Sequence, residues 1–303
     1  MSTAAVIERP RARLLLDLVA LSKPRVTGLV MATAAVGMGL APGGIPLGRA
    51  AVMLGMTALL VAAANAFNCW LERDTDAFMQ RTAGRPLPAG RLEPGTALVF
   101  ASLLAVASVP LLALGVNRMT GLLGAIALSS YVWVYTPLKF RSPWAMVVGA
   151  VPGALPPLMG WTAVTGELGA GGVALFAIVF VWQMPHVIGL SVYRRADYAA
   201  AGIRVLPLAR GLRASQWHAI AWALLLVPVS VSPHAFGLGG HAYLAAALVL
   251  SGLYVLAAVR GADLTRSAAG QDESAADLWG RRLFLWSLLY LPLLFLVLLL
   301  DPS

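Results

Sequence analysis

Residues 49–82 read RAAVMLGMTALLVAAANAFNCWLERDTDAFMQRT. The run 49–71 is apolar and long enough to cross, as a helix, a hydrocarbon core of about 30 Å. It ends on three polar side chains, Asn68, Glu72 and Asp76. A spacing of four keeps them on one helix face, with a drift of about 40° per step. An acidic stripe at the mouth of a membrane helix is costly unless it pairs with cations or holds a metal. Asp74 lies near the same face, and Arg73, Arg81, Arg85 and Arg91 follow at once. Hard oxygens that gather Mg2+, set beside arginines, suit a phosphorylated substrate. A solvated helix end pairing its acids with Arg73 and Arg81 is the simpler account of Asp74 alone. For Asn68, Glu72 and Asp76 together, the cost of burial favours function.

Outward from that stretch the chain has the same character. It has 303 residues, 59% hydrophobic and 12% charged, with a mean hydropathy of +0.80. This composition excludes a soluble globular domain and defines an all-α polytopic membrane protein embedded in the lipid bilayer. Nine apolar stretches are long enough to span: 19–41, 49–71, 96–115, 119–136, 144–163, 170–192, 216–232, 241–259 and 282–300. The net charge of +9 does not indicate nucleic-acid binding, because the basic residues sit in short loops between spans. Of the 22 lysines and arginines, all but Arg49 and Arg118 fall on one side. That side includes Arg9, Arg11, Arg13, Lys23 and Arg25 at the N-terminus and the loops after the second, fourth, sixth and eighth spans. The positive-inside rule places it in the cytoplasm, and with nine spans the C-terminus lies outside. The expected location is the cytoplasmic (inner) membrane, with the site opening inward. Residues 1–18 read as a cytoplasmic tail without a signal-peptide cleavage site, and 19–303 as one transmembrane domain. The longest cytoplasmic connection away from the motifs is 260–281. The loops after spans two and six echo each other weakly (Gly84-Arg85-Pro86; Gly202 to Pro207). The single cysteine, Cys69, has no partner for an intramolecular disulfide and reads as a small buried residue.

Three further motifs close on the same membrane face. Tyr135-Thr136-Pro137-Leu138-Lys139-Phe140-Arg141 ends the fourth span; Lys139 and Arg141 suit phosphate oxygens, and equally suit ordinary interfacial anchoring. Trp182-Gln183-Met184-Pro185-His186 lies in the sixth span, followed by Tyr193-Arg194-Arg195-Ala196-Asp197-Tyr198. A lone histidine there is an axial haem ligand, a proton carrier or a structural hydrogen-bonding group, and by itself the structural reading wins. Asp197 supplies a second metal position or pairs with Arg194. Lys23-Pro24-Arg25 begins the first span as ordinary interfacial residues or as part of a phosphate rim.

The combination resembles the UbiA-type intramembrane prenyltransferases, and within them the branch that farnesylates haem. The resemblance runs through Lys23 to Thr27, Met79-x-Arg81-Thr82, Arg85-Pro86-Leu87, Tyr135-Thr136, Gly149 to Trp161, Trp182 to His186, Asp197-Tyr198, Leu206-Pro207, Arg282 to Phe284 and Tyr290 to Pro292. The acidic motif is shared across the superfamily, whereas Trp182 to His186 and Pro156 to Trp161 mark the haem branch. The resemblance implies a helix bundle around a central cavity open to the cytoplasmic side. It implies Mg2+ as cofactor on Asn68, Glu72, Asp76 and Asp197, residues that would also carry the catalysis. Arg25, Lys139, Arg141, Arg81 and Arg85 would hold the diphosphate, and His186 and Tyr135 are candidate haem contacts. The implied reaction transfers farnesyl from farnesyl diphosphate to the vinyl group of haem b with addition of water. Tyr135 and Tyr193 are candidates, by position, for handling that water. Haem A synthase and terminal oxidase assembly proteins are the implied partners. The chain departs from the family's habit at Ala196, where a second acid is usual, at Ala145, at Val187-Ile188 and at Ile203-Arg204-Val205.

Rival readings are a prenyltransferase acting on a quinone precursor or chlorophyll-type acceptor, a proton-coupled or haem-handling membrane protein without catalysis, and an assembly factor that keeps the fold without the activity.

Overall fold

The computed structural model describes residues 11–260 and 273–303. Arg9 and the 261–272 part of the 260–281 connection, with Arg266, lie outside the described residues. Ten helices carry the fold: α1 (Arg11–Leu21), α2 (Pro24–Leu40), α3 (Leu47–Leu71), α4 (Pro94–Gly115), α5 (Arg118–Leu138), α6 (Ala145–Thr165), α7 (Ala170–Tyr193), α8 (Leu206–Ala235), α9 (His241–Val259) and α10 (Glu273–Leu300). There is no strand among the described residues, as expected where backbone polar groups are satisfied within each helix.

The nine expected spans meet one correction. Eight helices, α3 to α10, are long and apolar enough to cross a bilayer. α2 has 17 residues, about 25 Å of rise and short of the usual core thickness. The expected span 19–41 is broken at Lys23, which takes the left-handed conformation (φ 47, ψ 65) ahead of Pro24. Proline disfavours a helical residue before it and is well suited to a helix's first position. Residues 11–18, read as tail, are part of α1. α8 is broken at Gly211 (φ 82, ψ 171), so a short helical piece from Leu206 precedes its apolar stretch, and α10 begins at Glu273, earlier than expected.

α3 packs along α4, α2 along α6, and α7 along α6, α8 and α10; α9 is held between α8 and α10. Close approach rests on glycine. A Cβ on Gly160 would lie 1.9 Å from the Ala34 carbonyl oxygen, and one on Gly37 1.9 Å from that of Pro157, so α2 and α6 meet backbone to backbone. Gly189 and Gly280 do the same for α7 and α10. The echo between the two acidic loops has a structural counterpart. α3 stops at Glu72 (φ −99) and resumes as the short turn Arg73–Asp76; α7 stops at Arg194 (φ −113) and resumes as Arg195–Ala200.

Candidate active site

The end of α3, the end of α5 and the two loops that follow α3 and α7 enclose a charged cavity of about 230 Å3. Asn68, Glu72 and Asp76 all line it, and all three are buried, Asp76 completely. Buried carboxylates persist only when paired. Glu72 Oε1 lies 2.6 Å from Lys139 Nζ and also accepts a hydrogen bond from Asn68 Nδ2. Asp76 Oδ2 is 2.5 Å from an Arg85 guanidinium nitrogen, while Asp76 Oδ1 is buried without a hydrogen-bond partner. Lys23 Nζ donates to Asn68 Oδ1 at 3.1 Å. Burial pushes the Lys23 ammonium below the ordinary lysine range and the Tyr198 phenol above the ordinary tyrosine range.

The loops are tied down. Thr82 Oγ1 donates to the Asp76 carbonyl at 2.8 Å. Arg91 bridges Asp17 of α1 (3.2 Å) and the Gly84 carbonyl (3.0 Å), fixing the segment that carries Arg85. The loop after α7 reaches across: Arg204 N–H donates to the Lys139 carbonyl at 3.1 Å. Ile203 and Ala201 pack on Met79 of the first loop, so Ile203 joins the two acidic loops over the cavity.

At Tyr131, Tyr135, Met146 and Val187 the charged cavity meets an apolar chamber of about 690 Å3, lined from α2, α3, α5, α6, α7 and α10. The two tyrosines stand in a π-helical turn, Ser130–Tyr135, closed by the Thr136 N–H donating to the Tyr131 carbonyl. Pro137, which lacks an N–H, follows this wider turn at the start of the next helical turn. Gly149 leaves the space the Tyr135 ring fills, since a Cβ there would be 2.5 Å from it. Val26, Leu29, Leu288, Leu296 and Leu299 line the chamber and are also exposed, so it opens sideways between α2 and α10.

Other expected site residues stand elsewhere. Arg25 is exposed on the first turn of α2 and Arg141 is exposed beyond α5; neither lines the cavity, and Lys23, in its left-handed break, occupies it instead. Asp197 is half-buried, 4.0 Å from Arg194, and outside the lining. Among the described residues no three acidic, histidine or cysteine side chains converge to hold a metal. Ala196 is exposed, whereas Ala145 is buried in the cavity wall. His186 lines neither space. Its ring lies 4.9 Å from both Trp182 and Phe284, and its Nδ1 is 2.6 Å from Ser287 Oγ of α10. Tyr193 lies under Arg194, outside both linings. Tyr131 is a site residue that sequence reasoning passed over, whereas Lys23 belongs to the Lys23-Pro24-Arg25 stretch read as interfacial anchoring or part of a phosphate rim. The positive charge of Lys23 at a helix start was visible but unremarkable, and nothing in the spacing marked Tyr131.

The UbiA prenyltransferase family profile matches residues 30–288, and the chain belongs to that family. Its relatives narrow the branch. It is 49% identical over 285 residues to a protoheme IX farnesyltransferase of Myxococcus xanthus, covering 94% of each chain. It is 47% identical over 302 residues to one from an Anaeromyxobacter species, covering 99% of each. In fold it is similar to a structure described for digeranylgeranylglyceryl phosphate synthase (TM-score 0.77, 17% identity, 95% of this chain and 98% of that one). It is similar also to a UbiA homologue from Archaeoglobus fulgidus bound to GPP and Mg2+ (TM-score 0.64, 17% identity, 93% and 99%).

Proposed function

We propose that this chain transfers a farnesyl group from farnesyl diphosphate to the vinyl group of haem b, with addition of water, giving haem O and diphosphate. The observation that carries this is the junction of a charged cavity with an apolar chamber at Tyr131 and Tyr135. An amphiphile with an anionic head and an isoprenoid tail has a place for each end. The acceptor and the chain length come from the activity named for the relatives at 49% and 47% identity.

Lys23, Arg81, Arg85 and Lys139 line the head cavity and hold phosphate oxygens there. The donor set fits Mg2+: hard oxygens on Asn68, Glu72 and Asp76, with Asp76 Oδ1 buried and unpartnered. Those three residues would hold the ion, with Asp197 as a further ligand from the second loop. When bound, Mg2+ neutralises the diphosphate and makes it a better leaving group. The Tyr131 and Tyr135 rings, 5.3 Å apart, offer electron-rich faces to an allylic cation at the junction. The chamber keeps bulk water from that cation. The haem vinyl attacks the first farnesyl carbon and water adds to the new cation; the departing diphosphate takes the proton that water loses, and the Tyr135 hydroxyl, at the junction, is placed to orient that water. The substrate tail enters from lipid between α2 and α10. Taking the 17-residue α2 as a short ninth span, we place the N-terminus and the loops after α3, α5, α7 and α9 in the cytoplasm of an inner membrane, on the distribution of lysine and arginine. The product would serve haem A synthase or terminal oxidase assembly.

Purified protein in detergent, given haem b, farnesyl diphosphate and Mg2+, should yield a haem species heavier by a hydroxyfarnesyl unit in mass spectrometry. Asp76→Ala should yield none. Folded protein that makes no haem product but prenylates a quinone precursor would overturn the acceptor; folded protein that releases no diphosphate with any acceptor would overturn the enzymatic reading.

A further inference from the structure

Each residue of the first acidic motif is capped by its own cation, and each cation comes from a different element. Lys23, at the break before α2, is on Asn68; Lys139, at the end of α5, is on Glu72; Arg85, in the loop after α3, is on Asp76. Arg81 adds positive charge to the same wall, so four cations stand against two carboxylates. A divalent cation arriving alone meets carboxylates that are already neutralised, in a cavity with surplus positive charge. To bind, it must also displace Lys139 and Arg85 while no anion is present to receive them, and a desolvated cation without a partner is costly. A diphosphate reverses both conditions. It is attracted by the surplus charge, and its oxygens accept the three cations as they leave Asn68, Glu72 and Asp76.

We infer that in the free protein this cavity is an anion site, and that it becomes a metal site only when a diphosphate draws Lys23, Lys139 and Arg85 off the motif residues. Metal and diphosphate then each raise the other's affinity by the same factor, as linkage requires. The inference rests on the reading that the cavity takes a prenyl diphosphate head, and is independent of haem as the acceptor. Ion pairs that served only to hold the loops would stay in place and give no such coupling.

The test is a binding measurement on purified full-length protein. Mn2+ binding is read by electron paramagnetic resonance, with and without inorganic diphosphate, and protein-free titrations subtract the complex formed in solution. Diphosphate binding without metal is read by calorimetry in a chelator. Diphosphate should bind the metal-free protein, and its presence should tighten Mn2+ on the order of tenfold or more. Lys139→Met should split the two affinities, tightening Mn2+ alone and weakening diphosphate. Should that variant not fold, Arg85→Gln, at the more exposed of the two cations and keeping a donor for Asp76, makes the same split. Mn2+ bound equally well with and without diphosphate, or weakened by Lys139→Met, would overturn the inference and leave the proposed reaction standing. Failure of diphosphate to bind with or without metal would overturn the inference and the head-group assignment together. The haem product assay decides the acceptor separately.

Discussion

At Asp76 the fold spends its most expensive side chain: a carboxylate with no exposure, one oxygen on Arg85 and the other without a partner. The two ends of that pair should fail differently. Asp76→Ala removes a buried charge and leaves Arg85, a quarter exposed, free to hydrate, so folding should survive while kcat/KM falls on the order of 10^2–10^3-fold, the scale for losing one electrostatic stabiliser. Arg85→Ala strands the carboxylate and should cost about 3 kcal/mol of stability, read as a lower thermal midpoint in detergent, with Asp76→Asn restoring it in the double variant. His186 makes the opposite case. Bonded to Ser287 and stacked between Trp182 and Phe284, it joins α7 to α10. His186→Ala should lower the unfolding midpoint and leave the KM for farnesyl diphosphate unchanged. A lost haem affinity at unchanged stability would instead give the ring an iron-facing role.

Between elements, glycine decides which helices touch. Gly160 and Gly39 both lie where α2 comes close to other helices, yet a Cβ at Gly160 meets a backbone oxygen at 1.9 Å, whereas one at Gly39 meets only a Leu299 methyl at 3.6 Å. Gly160→Ala must therefore push α2 off α6 and open the chamber wall between them; it should elute as aggregate on size exclusion, or melt lower by the cost of overpacking, about 1–3 kcal/mol. Gly39→Ala should behave as wild type in the same measurements. The π turn at Ser130–Tyr135 belongs to this scale as well. It places Tyr131 and Tyr135 on the wall shared by the two cavities, one turn ahead of Pro137.

Across the whole molecule, the proposed orientation rests on the distribution of lysine and arginine over alternate loops. A membrane-impermeant thiol reagent should label Arg118→Cys from outside intact cells and Arg141→Cys only after the membrane is opened. The native Cys69, 2% exposed, should remain silent in both. The reverse pattern would invert the orientation. Much of this was legible in the chain alone. Apolar length defined an all-helical membrane protein, and a spacing of four placed Asn68, Glu72 and Asp76 on one face. The clustering of arginine and lysine in alternate loops is the basis for the orientation proposed above. Those features are local: a helix's length, its own faces and the charge of its ends follow from a few adjacent residues. Tertiary structure alone decided that Lys23 rather than Arg25 reaches the site, since a left-handed residue before Pro24 sends neighbouring cations in different directions. It also decided that each acid is met by a cation from another element, that Tyr131 stands at the junction, and that Asp197 and His186 stand apart. Such meetings depend on how helices distant in sequence approach one another, and the periodicity of one helix carries no information about the side chains of the next.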